Sequence, residues 1–144
     1  MNKAPDAMKG FFQGAMKSLK PYADAQRLKP FDGDTELAPG VRAHAARGHT
    51  AGHTIYAIES AGQKLVLWGD LMHVAAVQFP NPAVTIQFDT DSKAAMAQRK
   101  KAFAAAAKEG HWVGAAHLSF PGIGHLRAEG AGYQFVPVNY QSLK

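Results

Sequence analysis

No cysteine occurs among the 144 residues, which excludes disulfide bridges and thiolate metal ligands. Any zinc held by this chain must therefore sit on histidine and carboxylate. No apolar run approaches the ~20 residues needed to cross a bilayer, so no membrane partner is expected. Met1 to Lys20 has scattered lysines and no continuous apolar core, so no secretory leader is expected, and nothing selects a compartment. Charged residues make up only 19% against 47% hydrophobic, a balance that excludes a disordered chain. Lysine and arginine outnumber the acidic residues 16 to 11, but they are dispersed. The one short run, Arg99-Lys100-Lys101, falls inside a helix-forming stretch and reads as a solvated face. No nucleic-acid motif accompanies it, so no nucleic-acid partner is expected.

What is present has the length of one domain, residues 1–144, with enough apolar material for a core. Asp6 to Tyr22 places Met8, Phe11, Phe12, Ala15, Met16 and Leu19 at helical spacing, and Pro21 is expected to end that helix. Ala23 to Gly40, broken by Pro30, Gly33 and Pro39, reads as a winding connection. Val41 to Ala46, Thr54 to Glu59 and Lys64 to Trp68 read as strands, the last two joined by a turn at Ser60-Ala61-Gly62-Gln63. Phe79 to Phe88, with Pro80 and Pro82, is expected to be an extended loop. The strongest helix signal is the alanine-rich run Lys93 to Lys108, with Asp89 to Ser92 offering an N-cap and Gly110 a stop. Trp112 to Ala116 reads as a buried strand, Ser119 to Gly124 as a loop and Tyr133 to Val138 as a closing strand. The order indicates a layered α/β domain.

Three places carry chemistry. In Arg47-Gly48-His49-Thr50-Ala51-Gly52-His53 two histidines stand four apart, but the flanking glycines argue against a helix that would put both on one face. One is then free to act as a ligand while the other supports the loop. Asp70 closes the apolar strand Leu65-Val66-Leu67-Trp68, where a carboxylate is costly unless paired, metal-bound or capping a turn after Gly69. His117 ends the apolar strand Val113 to Ala116, as a ligand or as a hydrogen-bonded core histidine. Asp89 and Asp91 are explained as helix N-terminal residues.

In this order these segments resemble the later metal-binding motifs of the metallo-β-lactamase superfamily. Trp68-Gly69-Asp70-Leu71-Met72-His73, Val77-Gln78-Phe79-Pro80 and His117-Leu118-Ser119-Phe120-Pro121-Gly122-Ile123-Gly124 resemble its methyl parathion hydrolase-like branch. The resemblance runs from about Gly40 to Tyr140. It implies an αβ/βα sandwich with a binuclear site, usually two zinc ions. By position it assigns His53 to the first metal, Asp70 to a bridging and catalytic role, and His117 to the second metal. His49 becomes the non-ligand histidine of the loop. A metal-bound hydroxide attacking an ester, lactone or organophosphate is the implied reaction. His73 is expected to orient ligands or line the substrate pocket, and Leu71, Phe79 and Phe120 to wall it for an uncharged small-molecule substrate.

One departure limits this. The superfamily's His-x-His-x-Asp-His motif is missing, and Ala51 replaces a proline common in the loop. The chain therefore reads as the C-terminal half of such a sandwich, with at most partial zinc occupancy expected. A half-domain should also expose an apolar face, which implies self-association as a homodimer or association with the absent N-terminal half. Two readings result: a metal-dependent hydrolase, and a non-catalytic remnant or interaction module.

Overall fold

The computed structural model describes residues 6–140, which fall into two compact units divided after Phe31, residues 6–31 and 32–140. The first contains helix α1, Asp6–Asp24. The helix runs through Pro21, past the expected stop. Proline loses the bond of its own N–H and crowds the carbonyl four residues back, but it leaves the amides beyond it able to bond. Residues beyond it still find acceptors: the Ala25 amide reaches the Pro21 carbonyl at 3.2 Å, and Arg27 reaches Tyr22 at 2.8 Å.

The second unit is a seven-stranded sheet with one long helix and one single-turn helix. Strands β1 (Thr35–Ala38), β2 (Val41–Ala45), β3 (Thr54–Ser60) and β4 (Gln63–Leu67) form an antiparallel meander. The short helix α2 (Ala75–Gln78) and the long helix α3 (Ser92–Glu109) lead to β5 (Trp112–Gly114). Strand β5 pairs parallel with β4, and β6 (Ile123–Glu129) and β7 (Gly132–Pro137) continue antiparallel, so the spatial order equals the chain order. A parallel neighbour demands a long crossover, which the segment containing α3 provides. Strand β1 lies where the sequence reads as a connection, β6 begins inside the segment read as a loop, and α2 falls where no element was expected. With only Thr35 of its four residues half-buried, β1 has no apolar alternation to reveal it.

Helix α3 has the ends its sequence predicts. The Asp91 carboxylate accepts from the Ala94 amide at 2.9 Å, and Gly110 closes the helix at φ 68°. Its buried face is Ala95, Arg99, Phe103 and Ala106, one stripe at helical spacing. Phe103 is the centre of the core. Its ring stacks on Trp68 at 5.0 Å, tilts against Phe79 at 5.1 Å and meets Tyr133 edge-on at 5.5 Å. Below it lies the row Ala57, Val66, Val113, in register across three strands.

Alternation then turns the next rows outward. They are Tyr56, Leu67, Gly114 and Ile123, and beside them Ile58, Leu65 and Trp112. Both rows are apolar, yet Leu67 is 36% and Ile123 38% exposed. The sheet therefore has one face packed by α3 and a second face of the same apolar character.

Candidate metal centre

The parallel pair decides where the chemistry sits, because both strands end at the same edge. Beyond β4, the Trp68 amide bonds to the Gly114 carbonyl at 2.8 Å, and the Ala116 amide bonds to the Gly69 carbonyl at 3.2 Å. These bonds carry Asp70 and His117 forward together, and His117 Nε2 lies 2.8 Å from Asp70 Oδ1. His73 joins them, its ring stacked on that of His117 with centroids 4.4 Å apart. Asp70, His73 and His117 each bring one donor atom within 4.8 Å of the others.

The third segment arrives from the loop after β2. The Gly48 carbonyl accepts from the Asp91 amide (2.9 Å) and the Thr90 hydroxyl (3.1 Å), and the His49 carbonyl accepts from the Thr90 amide (3.0 Å). These bonds hold Gly48 so close to α3 that a Cβ there would lie 2.2 Å from the Ala95 nitrogen. His49 is thereby set over the same edge. Its Nε2 lies 3.7 Å from Asp70 Oδ2, its Nδ1 3.2 Å from Asp89 Oδ1, and its ring centroid 4.9 Å from that of His73.

His53 is placed differently. Its side chain is buried, with Nδ1 3.0 Å from the Ala46 carbonyl and Nε2 3.1 Å from the Asp70 amide. Nδ1 donates to the carbonyl and Nε2 accepts from the amide, so the ring's one acceptor lone pair is already engaged. Gly69, at φ 55°, permits this approach, since a Cβ there would meet His53 Nε2 at 3.3 Å. Within the 48–53 loop it is therefore His49 that faces the cluster and His53 that braces it. This is the reverse of the sequence-based assignment.

Two expected pocket residues lie elsewhere. Leu71 and Phe79 belong to the core, 3% and 4% exposed, and Phe79 stacks on Phe135 as well as tilting against Phe103. Phe120 is the exposed member, 77% accessible, with Tyr140 edge-on at 5.0 Å.

Three residues contribute that the sequence reading places otherwise or passes over. Asp89, expected only at the helix start, has a side chain 1% exposed between His49 and Arg99. Arg99, expected on a solvated face, is wholly buried. Gln78 is buried too, and its Oε1 accepts from the amides of His73 and Val74 at 2.7 and 3.0 Å. Its presence in the Val77-Gln78-Phe79-Pro80 motif is the one signal that pointed to it.

The donor set suits a divalent metal. His73 Nδ1 is buried and makes no hydrogen bond, an orphaned nitrogen within a group of imidazoles and a carboxylate. Burial, then the neighbouring His117 and His49, holds the His73 ring below the ordinary histidine range and so in its neutral, ligating form.

No family model and no curated protein sequence matches this chain. Solved structures do. The chain superposes on AidC, a dizinc quorum-quenching lactonase in complex with a product, with TM-score 0.82 and 28% identity over 96% of this chain and 46% of AidC. It superposes on the hydrolase AbOPH of the β-lactamase superfamily with TM-score 0.84 and 33% identity, over 98% of this chain and 50% of that one. An N-acyl homoserine lactone hydrolase with product at its catalytic metal centre shares the fold at 24% identity and TM-score 0.52, over 66% of this chain and 40% of that one. The chain thus spans about half the length of the first two structures. With motifs in superfamily order, their ends gathered at one sheet edge, and this likeness across nearly its whole length, the chain belongs to the metallo-β-lactamase superfamily.

Proposed function

We propose that this chain supplies part of the metal site of a metal-dependent hydrolase acting on an ester, lactone or organophosphate. The observation that carries the reading is the convergence of Asp70, His73 and His117 to within 4.8 Å, with the unpartnered His73 Nδ1 among them. Two of the similar structures are named as lactone-cleaving metalloenzymes, which supports the same chemistry here. His49, Asp70 and His117 are the proposed ligands, with His73 as a further donor or a group lining the substrate site. Bound there, zinc supplies a Lewis acid for a carbonyl or phosphoryl oxygen and acidifies water. Asp70 Oδ1 lies 2.8 Å from His117 Nε2, so the two present their donor atoms side by side, and exposed Phe120 offers an apolar wall to an uncharged substrate.

The test is zinc content of the purified chain, with His49→Ala and His117→Ala as controls, followed by lactone, ester and organophosphate substrates. Bound zinc that both substitutions remove is the expected result. Absence of zinc from the unaltered chain would overturn the reading.

The apolar outer rows of the sheet favour a second proposal, that this chain works in association. Leu67 and Ile123 are exposed beside the half-buried Tyr56, Ile58, Leu65 and Trp112 on the outer face of the sheet. A complementary half-domain, or failing that a second copy, is the proposed cover. Light scattering on the purified chain tests it, and a stable monomer counts against it. This association is also what a non-catalytic interaction module would retain.

A further inference from the structure

Arg99 is the most fully enclosed charge among the described residues, and its contacts converge on the site from behind. Nε donates to the Leu71 carbonyl at 2.9 Å, and Nη1 donates to the carbonyls of Pro82 (3.1 Å) and Val84 (2.6 Å). Nη2 makes no hydrogen bond and faces Asp89 Oδ2 at 3.5 Å. Leu71 directly follows Asp70. The Val84 carbonyl also accepts from Gln78 Nε2, and Gln78 Oε1 holds the His73 amide. One guanidinium therefore touches the segment bearing Asp70, the clamp on His73 and the carboxylate behind His49.

A buried guanidinium is costly unless a partner charge and full hydrogen bonding compensate it. The reciprocal holds for Asp89, whose side chain is 1% exposed and has Arg99 as its cationic neighbour. An ionised carboxylate only accepts hydrogen bonds, so the His49 nitrogen facing Asp89 Oδ1 must be the protonated one. We propose that Asp89 and Arg99 are positioning residues that fix the neutral tautomer of His49, with Nδ1 protonated and the Nε2 lone pair aimed toward Asp70. Arg99 sets the carboxylate, and the carboxylate sets the ring. The consequence for metal affinity rests on the functional reading above, whereas the tautomer itself does not.

Histidine tautomers are read directly by long-range 1H–15N NMR correlation on the metal-free, 15N-labelled chain at about pH 8. In the unaltered protein His49 should be protonated on Nδ1. Asp89→Asn keeps the shape but lets an amide NH2 face the ring, and should move His49 toward Nε2 protonation. Zinc alone, titrated into the same samples, should bind about 10–100-fold more weakly to Asp89→Asn, the range typical when the partner of a ligating histidine is lost. Arg99→Lys retains the charge and should keep most of the Nδ1 form, while Arg99→Met should lose it. If Arg99→Met does not fold, Asp89→Asn decides alone. An unchanged His49 tautomer in Asp89→Asn, or Nε2 protonation in the unaltered chain, overturns the inference. The expected tautomer with no zinc bound overturns the metal reading and leaves the positioning role standing.

Discussion

The amide of Asp70 donates to Nε2 of His53 at 3.1 Å, while the other nitrogen of that ring bonds the Ala46 carbonyl at 3.0 Å. A buried imidazole thus pins the end of β4 to the end of β2. Replacing His53 with alanine removes both bonds and strands one amide and one carbonyl, at about 1–3 kcal/mol each. Denaturant unfolding of His53→Ala should show a clear loss of stability. An unchanged midpoint would mean that the brace contributes nothing.

His49 should show itself chiefly through the metal. Its ring faces the cluster, so His49→Ala should remove zinc-dependent stabilisation, while loss of the Nδ1 contact to the buried Asp89 should cost the metal-free chain about 1–3 kcal/mol. At zinc concentrations a hundred times the dissociation constant, that stabilisation is about 2.7 kcal/mol. Thermal melts with zinc and then with a chelator measure it, and His117→Ala should lose it too. A zinc-induced rise in Tm that survives both substitutions would place the metal elsewhere.

Gly48 should tolerate no side chain. Its φ of 145° is a glycine conformation, and a Cβ would lie 2.2 Å from the Ala95 nitrogen. Gly48→Ala must push the loop off the start of α3 and carry His49 with it. The expected outcome is a drop of several degrees in Tm together with weakened zinc binding. Gly52→Ala, where a Cβ meets nothing within 4 Å, is the matched control.

Stability should fall in mild acid, and His111 should account for part of the fall. Its side chain is buried, with Lys64, Glu109 and His125 as titratable neighbours. Burial first, then Lys64, pushes its pKa below the ordinary histidine value; the Glu109 carboxylate opposes this. The unfolded chain therefore takes up a proton at His111 more readily than the folded chain does. The contribution is complete above about pH 6.5 and is lost as pH falls through the lower folded value. Unfolding midpoints of His111→Gln between pH 8 and pH 5 should show a shallower decline than the unaltered chain. Parallel declines would exclude His111 as a source.

Much of this arrangement was legible beforehand, and the remainder was hidden for identifiable reasons. Strands β2 to β4 and helix α3 announce themselves by period, turn and cap, because local chemistry alone specifies them. Strand β6 escapes notice because the Pro/Gly-rich segment before it runs into the strand itself at Ile123-Gly124. Asp70 and His117 stand out as polar residues ending apolar strands. Which histidine of the 48–53 loop faces the cluster was not readable, since it depends on Asp89, forty positions away, and on the Asp70 amide. Arg99 misled for a related reason. A helical arginine beside two lysines gives no sign of the three carbonyls waiting behind it.

The single parallel junction between β4 and β5 bears on how the chain reaches this state. Strands β1 to β4 and β5 to β7 are each built of neighbouring hairpins, which close quickly because few residues lie between partners. The β4–β5 seam alone joins strands separated by the whole stretch from Leu67 to Trp112, so its closure costs the most chain entropy. Asp70 and His117 lie on opposite sides of that seam. The donor cluster therefore assembles in the slow, non-local step of folding, and zinc uptake by the refolding chain would time the closing of the sheet.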